Sequence, residues 1–150
     1  MGSGMKAYNG FSGALRAAAQ RWLNSAWAAG TLQRPTVCRA CGQDPPPIDA
    51  HAEDYSQPFA AGKTDEFHLC YSCHMAVHCR FRNPKAWDEY RNLVALGARY
   101  PAIGRNYPQF IAWYTGQQTP PIVQGAAPAR KVLDEIDGWM LANTGKGWRT

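Results

Sequence analysis

Four of the five cysteines fall in two pairs of identical spacing, Cys38-Arg39-Ala40-Cys41 and Cys70-Tyr71-Ser72-Cys73. Each pair can sit on a tight knuckle that turns both sulfurs toward one ion, and four thiolates together suit a tetrahedral zinc ligated entirely by protein. Such an ion closes the chain between the pairs and adds folding free energy directly, which a short chain with a modest core can use. Immediately after the second pair stand His74 and His78, four apart and therefore on one face of a helix, about one turn from each other. Two imidazoles at that spacing can hold one side of a second metal. His51 lies in the stretch 48–52, where a period of two sends Asp49 and His51 to one side and Ile48, Ala50 and Ala52 to the other. If this strand pairs with a second one and the helix after Cys73 packs across them, His51 faces His74 and His78 and leaves water positions open on a divalent cation. A cation so held polarises a phosphate oxygen and stabilises a leaving oxyanion. The fifth cysteine, Cys79, lies inside the same helical segment and reads as a small buried hydrophobe.

The elements that must position these residues follow from pattern. Residues 11–29 are rich in helix formers, with Ala14, Leu15, Ala18, Trp22, Leu23 and Ala26 at spacings of three and four and Gly30 as the C-cap. Residues 31–47 hold the first knuckle and the run Pro45-Pro46-Pro47, which fits neither helix interior nor sheet ladder. Short strands are expected at 48–52 and 66–69, joined by a loop over 53–65. A helix is expected over 72–81 with Ser72 near its N-cap, and another over 84–100 opened by Asn83 and Pro84. Beyond it, 108–115 suits a short helix and the proline-rich stretch 116–128 suits a linker. Residues 129–142 suit a final helix through Val132, Leu133, Ile136 and Trp139, which needs a partner surface on this chain or on a second copy.

The 150 residues point to one domain with an appended arm. Met1-Gly2-Ser3-Gly4 reads as an expression scar, residues 5–100 as the domain with the knuckle, and 101–150 as a linker plus helix. The sequence offers neither a membrane-length apolar run nor a secretory pattern, so a soluble cytoplasmic protein is expected. Sixteen Lys plus Arg against eleven Asp plus Glu give a formal net charge of +5. The excess is largely arginine, at 16, 21, 34, 39, 80, 82, 91, 99 and 105, and guanidinium groups pair with phosphates in a fixed fork. Trp113, Tyr114, Trp139 and Trp148 near Arg130, Lys131, Lys146 and Arg149 can stack bases and neutralise phosphates; Trp113 and Trp139 read equally well as buried anchors, and Trp148, in a Gly-rich terminus, is the better stacking candidate.

The run DAHAEDYSQPF, then TDEFHLC, then YSCHMAVH resembles the HNH endonuclease motif in its zinc-knuckle form, over residues 36–82. The resemblance implies an α+β protein with a small ββα-metal centre, flanked here by N-terminal and C-terminal helices. It also implies structural zinc at Cys38, Cys41, Cys70 and Cys73, with His74 and His78 at the helix positions of a catalytic centre that uses Mg²⁺ or Mn²⁺. Asp65 falls near the place of the family's middle asparagine. Many relatives carry two adjacent histidines in the first strand, a metal ligand and then the general base, whereas here the second is Ala52. His51 is thus either a ligand, with Glu53, Asp54 or His68 in place of the base, or the base itself. The activity implied is metal-dependent hydrolysis of phosphodiester bonds, most naturally in DNA, by catalytic residues His51, His74 and His78. Palindromic cutting would call for a homodimer.

Two rival readings start from the same residues. Cys70-Tyr71-Ser72-Cys73-His74 satisfies the C-x-x-C-H pattern of covalent haem attachment, but that leaves the other cysteine pair unexplained. A zinc-stabilised nucleic-acid-binding or interaction module without catalysis is favoured by Ala52. Three imidazoles beside a filled zinc site favour the nuclease.

Overall fold

A computed structural model describes residues 5–124 and 130–148. The four residues read as a scar, residues 125–128 of the linker, and Arg149 lie outside the described residues. Those described form a mixed α and β chain with five helices and two two-stranded sheets, divided into two compact units. One unit comprises the chain up to Pro35 together with Ala50–Phe67, and the other comprises Thr36–Asp49 with everything from His68 onward. Residues 101–124 and 130–148 share a unit with the second knuckle. No helix among the described residues is long and apolar enough to cross a membrane.

In the first unit, α1 (Gly13–Ala29) starts at Ser12, whose hydroxyl accepts from the Leu15 N–H at 3.1 Å. It stops at Gly30, whose φ of 76° is the left-handed conformation that closes a helix most cheaply with glycine. Ala17, Ala19, Leu23 and Ala26 form its buried face. The Arg16 guanidinium lies over the rings of Tyr8 and Tyr55, 5.3 and 5.0 Å from their centroids.

Strand β1 (Ile48–His51) pairs with β2 (Phe67–Cys70), and α2 (Tyr71–Cys79) follows β2 without an intervening residue. The N-cap of α2 is therefore Cys70, two residues before Ser72, and its sulfur accepts from the Cys73 N–H. In the second unit α3 (Pro84–Ala95) ends five residues before the expected position 100. Its carbonyls are closed by Leu96, and Gly97 turns the chain at φ 80°. That turn releases β3 (Ala98–Arg99) to pair antiparallel with β4 (Val123–Gln124), Ala98 opposite Gln124 and Arg99 opposite Val123. Neither two-residue strand carries a periodic signal in sequence, so both escape pattern reading. Next, α4 (Tyr107–Tyr114) begins at Asn106, whose side chain accepts from the Gln109 N–H.

The tail helix α5 (Arg130–Thr144) finds its partner surface on this chain. Val132, Leu133 and Ile136 are buried, the indole N–H of Trp87 on α3 donates to Asp137 at 2.7 Å, and Arg91 on α3 bonds Asp134 at 2.9 Å and Asp88 at 2.6 Å. Leu133 is fully buried. Leu133→Ala should therefore cost about 2–5 kcal/mol of unfolding free energy. Urea denaturation followed by tryptophan fluorescence measures it, and an unchanged midpoint would mean that α5 does not dock as described.

Candidate metal centres

Cys38, Cys41, Cys70 and Cys73 are all buried, none forms a disulfide, and their sulfurs lie within 4.8 Å of one another. All four belong to the second unit. The first knuckle is shaped by backbone bonds from the Cys38 N–H to Gln43 and from the Gly42 N–H to Cys38, with Gly42 at φ 79°. In both knuckles the second cysteine's N–H points at the first one's sulfur, Cys41 to Cys38 at 3.4 Å and Cys73 to Cys70 at 3.5 Å. The Arg39 N–H donates to the His68 carbonyl on β2 at 2.7 Å, tying the two knuckles together.

The sulfur spacing passes a direct test of fit. Two sulfurs about 2.3 Å from a tetrahedral zinc stand about 3.8 Å apart, and Cys41 Sγ lies 3.6 Å from Cys70 Sγ. So many buried thiols cannot titrate separately. S–H donors from Cys41, Cys70 and Cys73 pull Cys38 far below the ordinary thiol range, while Cys73, hydrogen-bonded to Cys38 and deeply buried, is pushed far above it. A zinc ion bound among them would displace the shared protons and be held by four thiolates. Beside it, burial keeps the Tyr90 hydroxyl protonated, and that hydroxyl lies 3.1 Å from Cys73 Sγ, where its O–H can donate to the sulfur. The Tyr90 contact is absent from any motif, because it joins α2 to α3 across the core.

His74 and His78 come together as their spacing predicts. Their rings are 4.8 Å apart and their Nε2 atoms 3.1 Å apart. Behind His74, Nδ1 meets Asp49 Oδ2 at 3.3 Å, and Arg105 grips the same carboxylate at 2.8 and 3.2 Å. Burial would raise the Asp49 carboxyl, but the bonds from His74 and then Arg105 outweigh it and hold it at about 2. A carboxylate that accepts Nδ1–H fixes the tautomer of its histidine and leaves Nε2 with the lone pair, the arrangement common behind metal-bound imidazoles. Two such nitrogens at this distance repel unless a proton or a cation lies between them. Nitrogens about 2.0–2.1 Å from a tetrahedral zinc would stand about 3.3 Å apart, close to the observed spacing. Strand alternation puts Asp49 on the histidine side of β1 but does not assign it this role, and nothing local in sequence joins Arg105 to it.

His51 belongs to the first unit and is buried there. Its Nε2 meets Glu53 Oε2 at 2.6 Å, the Tyr8 hydroxyl donates to the same oxygen, and Asn9 Nδ2 donates to Glu53 Oε1 at 3.0 Å. Of the three residues considered as substitutes for a missing base, Glu53 is the one joined to His51. Asp54 accepts from the Ser56 N–H at 2.8 Å in a local turn, and His68 is half-buried on β2. Asp65 likewise holds a turn, accepting from the Gly62 N–H at 2.7 Å. Ala52 is buried, 1 % exposed.

Trp148, the expected stacking residue, packs edge-on against Phe81 and donates its indole N–H to Asp137. Arg80 is fully buried, donates to the Val77 carbonyl and lies over Phe81. Arg16, Arg34 and Arg91 also lie over rings of this chain, which orients their guanidinium groups without removing their charge. Arg21, Arg39 and Arg82 are exposed. Cys79 is buried, as expected of a small hydrophobe. No family model, curated protein or solved structure matches this chain.

Elemental analysis of purified protein should return one zinc per chain, and Cys70→Ser should abolish it together with cooperative unfolding. Tyr90→Phe should retain zinc but weaken it about tenfold or more in competition with a chromophoric chelator. A full zinc complement in Cys70→Ser would exclude the four-sulfur site.

Proposed function

We propose that this chain is a metal-dependent endonuclease of the HNH kind, hydrolysing phosphodiester bonds in nucleic acid, with DNA as the first substrate to test. The observation that carries this reading is the pair of Nε2 atoms on α2, set 3.1 Å apart and backed by the Asp49 carboxylate, on a helix whose first turn belongs to the four-sulfur cluster. Asp49 and His51 are two apart on β1, so strand alternation gives them one face.

The donor set of neutral imidazoles suits a divalent cation, which when bound would supply positive charge to a scissile phosphate and its departing oxygen. The protein's own groups account for the rest. Asp49, clamped by Arg105, keeps His74 in the tautomer that directs Nε2 outward. Glu53, held by Tyr8 and Asn9, takes the Nε2–H of His51, so His51 acts through Nδ1. A carboxylate behind an imidazole raises its basicity and steadies an imidazolium, which equips His51 to take a proton from the attacking water. The same tautomer also equips it to ligate. Exposed Arg39 and Arg82 supply affinity for the backbone without reading sequence.

One observation favours the second reading, a zinc-stabilised binding module without catalysis: Ala52 stands where HNH relatives carry a second histidine. Purified protein incubated with supercoiled plasmid and Mg²⁺ or Mn²⁺ separates the two. Relaxation and linearisation are expected, with His74→Ala lowering the rate at least about a hundredfold, the scale for losing one preorganised charge-stabilising group. Asp49→Asn should cost less, about ten- to a hundredfold, through metal affinity. Cleavage that survives His74→Ala would mean a contaminating nuclease, and none by wild type would leave the binding module.

A further inference from the structure

The second unit also holds a cavity of about 500 Å³ between α3 and the chain that leaves α4, among residues that, apart from Tyr90, the metal chemistry does not use. Its volume is within the range of small-molecule sites, roughly 300–1,000 Å³. The floor is aromatic: Tyr100 and Trp113 meet edge-on at 5.4 Å, and Tyr114 is fixed from behind by a hydroxyl bond to the Ala76 carbonyl on α2. Burial, and then the Glu89 carboxylate, push the Tyr100 hydroxyl up to about 12, so this floor is neutral at physiological pH. These rings are largely buried and immobilised by one another, so the parts of them that line the cavity need little ordering to receive a flat ligand.

The rim differs in kind. Lys85 and Glu89 stand one turn apart on α3, both exposed and both lining the opening. Across from them is Gln118, whose backbone N–H is tied to the Ala112 carbonyl and whose side-chain oxygen accepts from Gln109. One cation, one carboxylate and one oriented amide around an aromatic floor match a planar heterocycle that carries an exocyclic amine and is joined to a phosphate. An aliphatic ligand would waste the rings, and a bare anion would meet Glu89.

We propose that this pocket takes one unstacked, amine-bearing nucleobase of a bound strand, its ring against Trp113 and Tyr100, its amine toward Glu89 and its neighbouring phosphate toward Lys85. Stacking on aromatic side chains is how single-stranded nucleic acid is commonly held. A carboxylate accepting from an exocyclic amine distinguishes cytosine from thymine. The proposal rests on nucleic acid being the partner, but not on cleavage.

Fluorescence anisotropy with short labelled single strands, without added divalent cation, tests it. The cytosine strand should bind about tenfold more tightly than the thymine strand. Ala86→Trp, placed on the α3 wall of the cavity, should fill it and lower cytosine-strand affinity about tenfold or more while zinc content stays at the wild-type value. Glu89→Ala, at an exposed position, should bind the two strands alike and serves as an independent arm should the tryptophan disturb folding. Cytosine-strand affinity unchanged in Ala86→Trp, or a cytosine preference that survives Glu89→Ala, would overturn the assignment. So would cytidine monophosphate binding as tightly as the strand, which would make the pocket a free-nucleotide site. No binding to either strand would overturn the pocket and the nucleic-acid partner together. A plasmid that stays uncut bears only on the metal centre.

Discussion

Four sulfurs have to converge on one point, and much of the second unit can be understood as the means of bringing them there. Cys70 ends β2 and caps α2 in the same residue, so strand and helix are joined with no slack. Cys38 and Cys41 come from a loop that has no regular structure of its own and is shaped by Gly42 and by the Arg39 bond to β2. A loop of this kind is not stabilised by packing alone, and closing it through an ion removes chain entropy that a small core would otherwise have to offset. The helix start fixed in this way also fixes the phase of α2. With Cys73 turned toward the cluster, His74 and His78 follow on the neighbouring face toward Asp49.

Electrostatics repeats one device in the two units. His74 is backed by Asp49 and His51 by Glu53, and each carboxylate is secured by further donors, Arg105 in one case and Tyr8 with Asn9 in the other. An imidazole with a fixed tautomer is a better ligand or base than one that must reorganise, and burial makes these hydrogen bonds count for more than they would in water. Several arginines of this basic chain lie on rings or carboxylates of the fold itself, which fixes where their charge sits, and Arg80 is buried away from the surface.

Local spacing determined a good deal. Two C-x-x-C pairs imply convergence on an ion because the knuckle is a short-range structure, and a separation of four puts His74 beside His78 on any helix. The proline run, the Gly30 stop of α1 and the apolar period of α5 are legible for the same reason: the interactions that enforce them lie within a few residues. What lies many residues apart was decided only by tertiary structure. Arg105 reaches Asp49, Tyr90 reaches Cys73, Tyr8 and Asn9 reach Glu53, and α5 docks on α3, each through a contact whose partner no periodicity announces. The early end of α3 and the β3–β4 pair belong here too, since a two-residue strand exists only because another is opposite it. The sequence thus determines which atoms could do chemistry. The fold decides which carboxylate stands behind which imidazole, because that depends on long-range packing that brings distant side chains within hydrogen-bond reach.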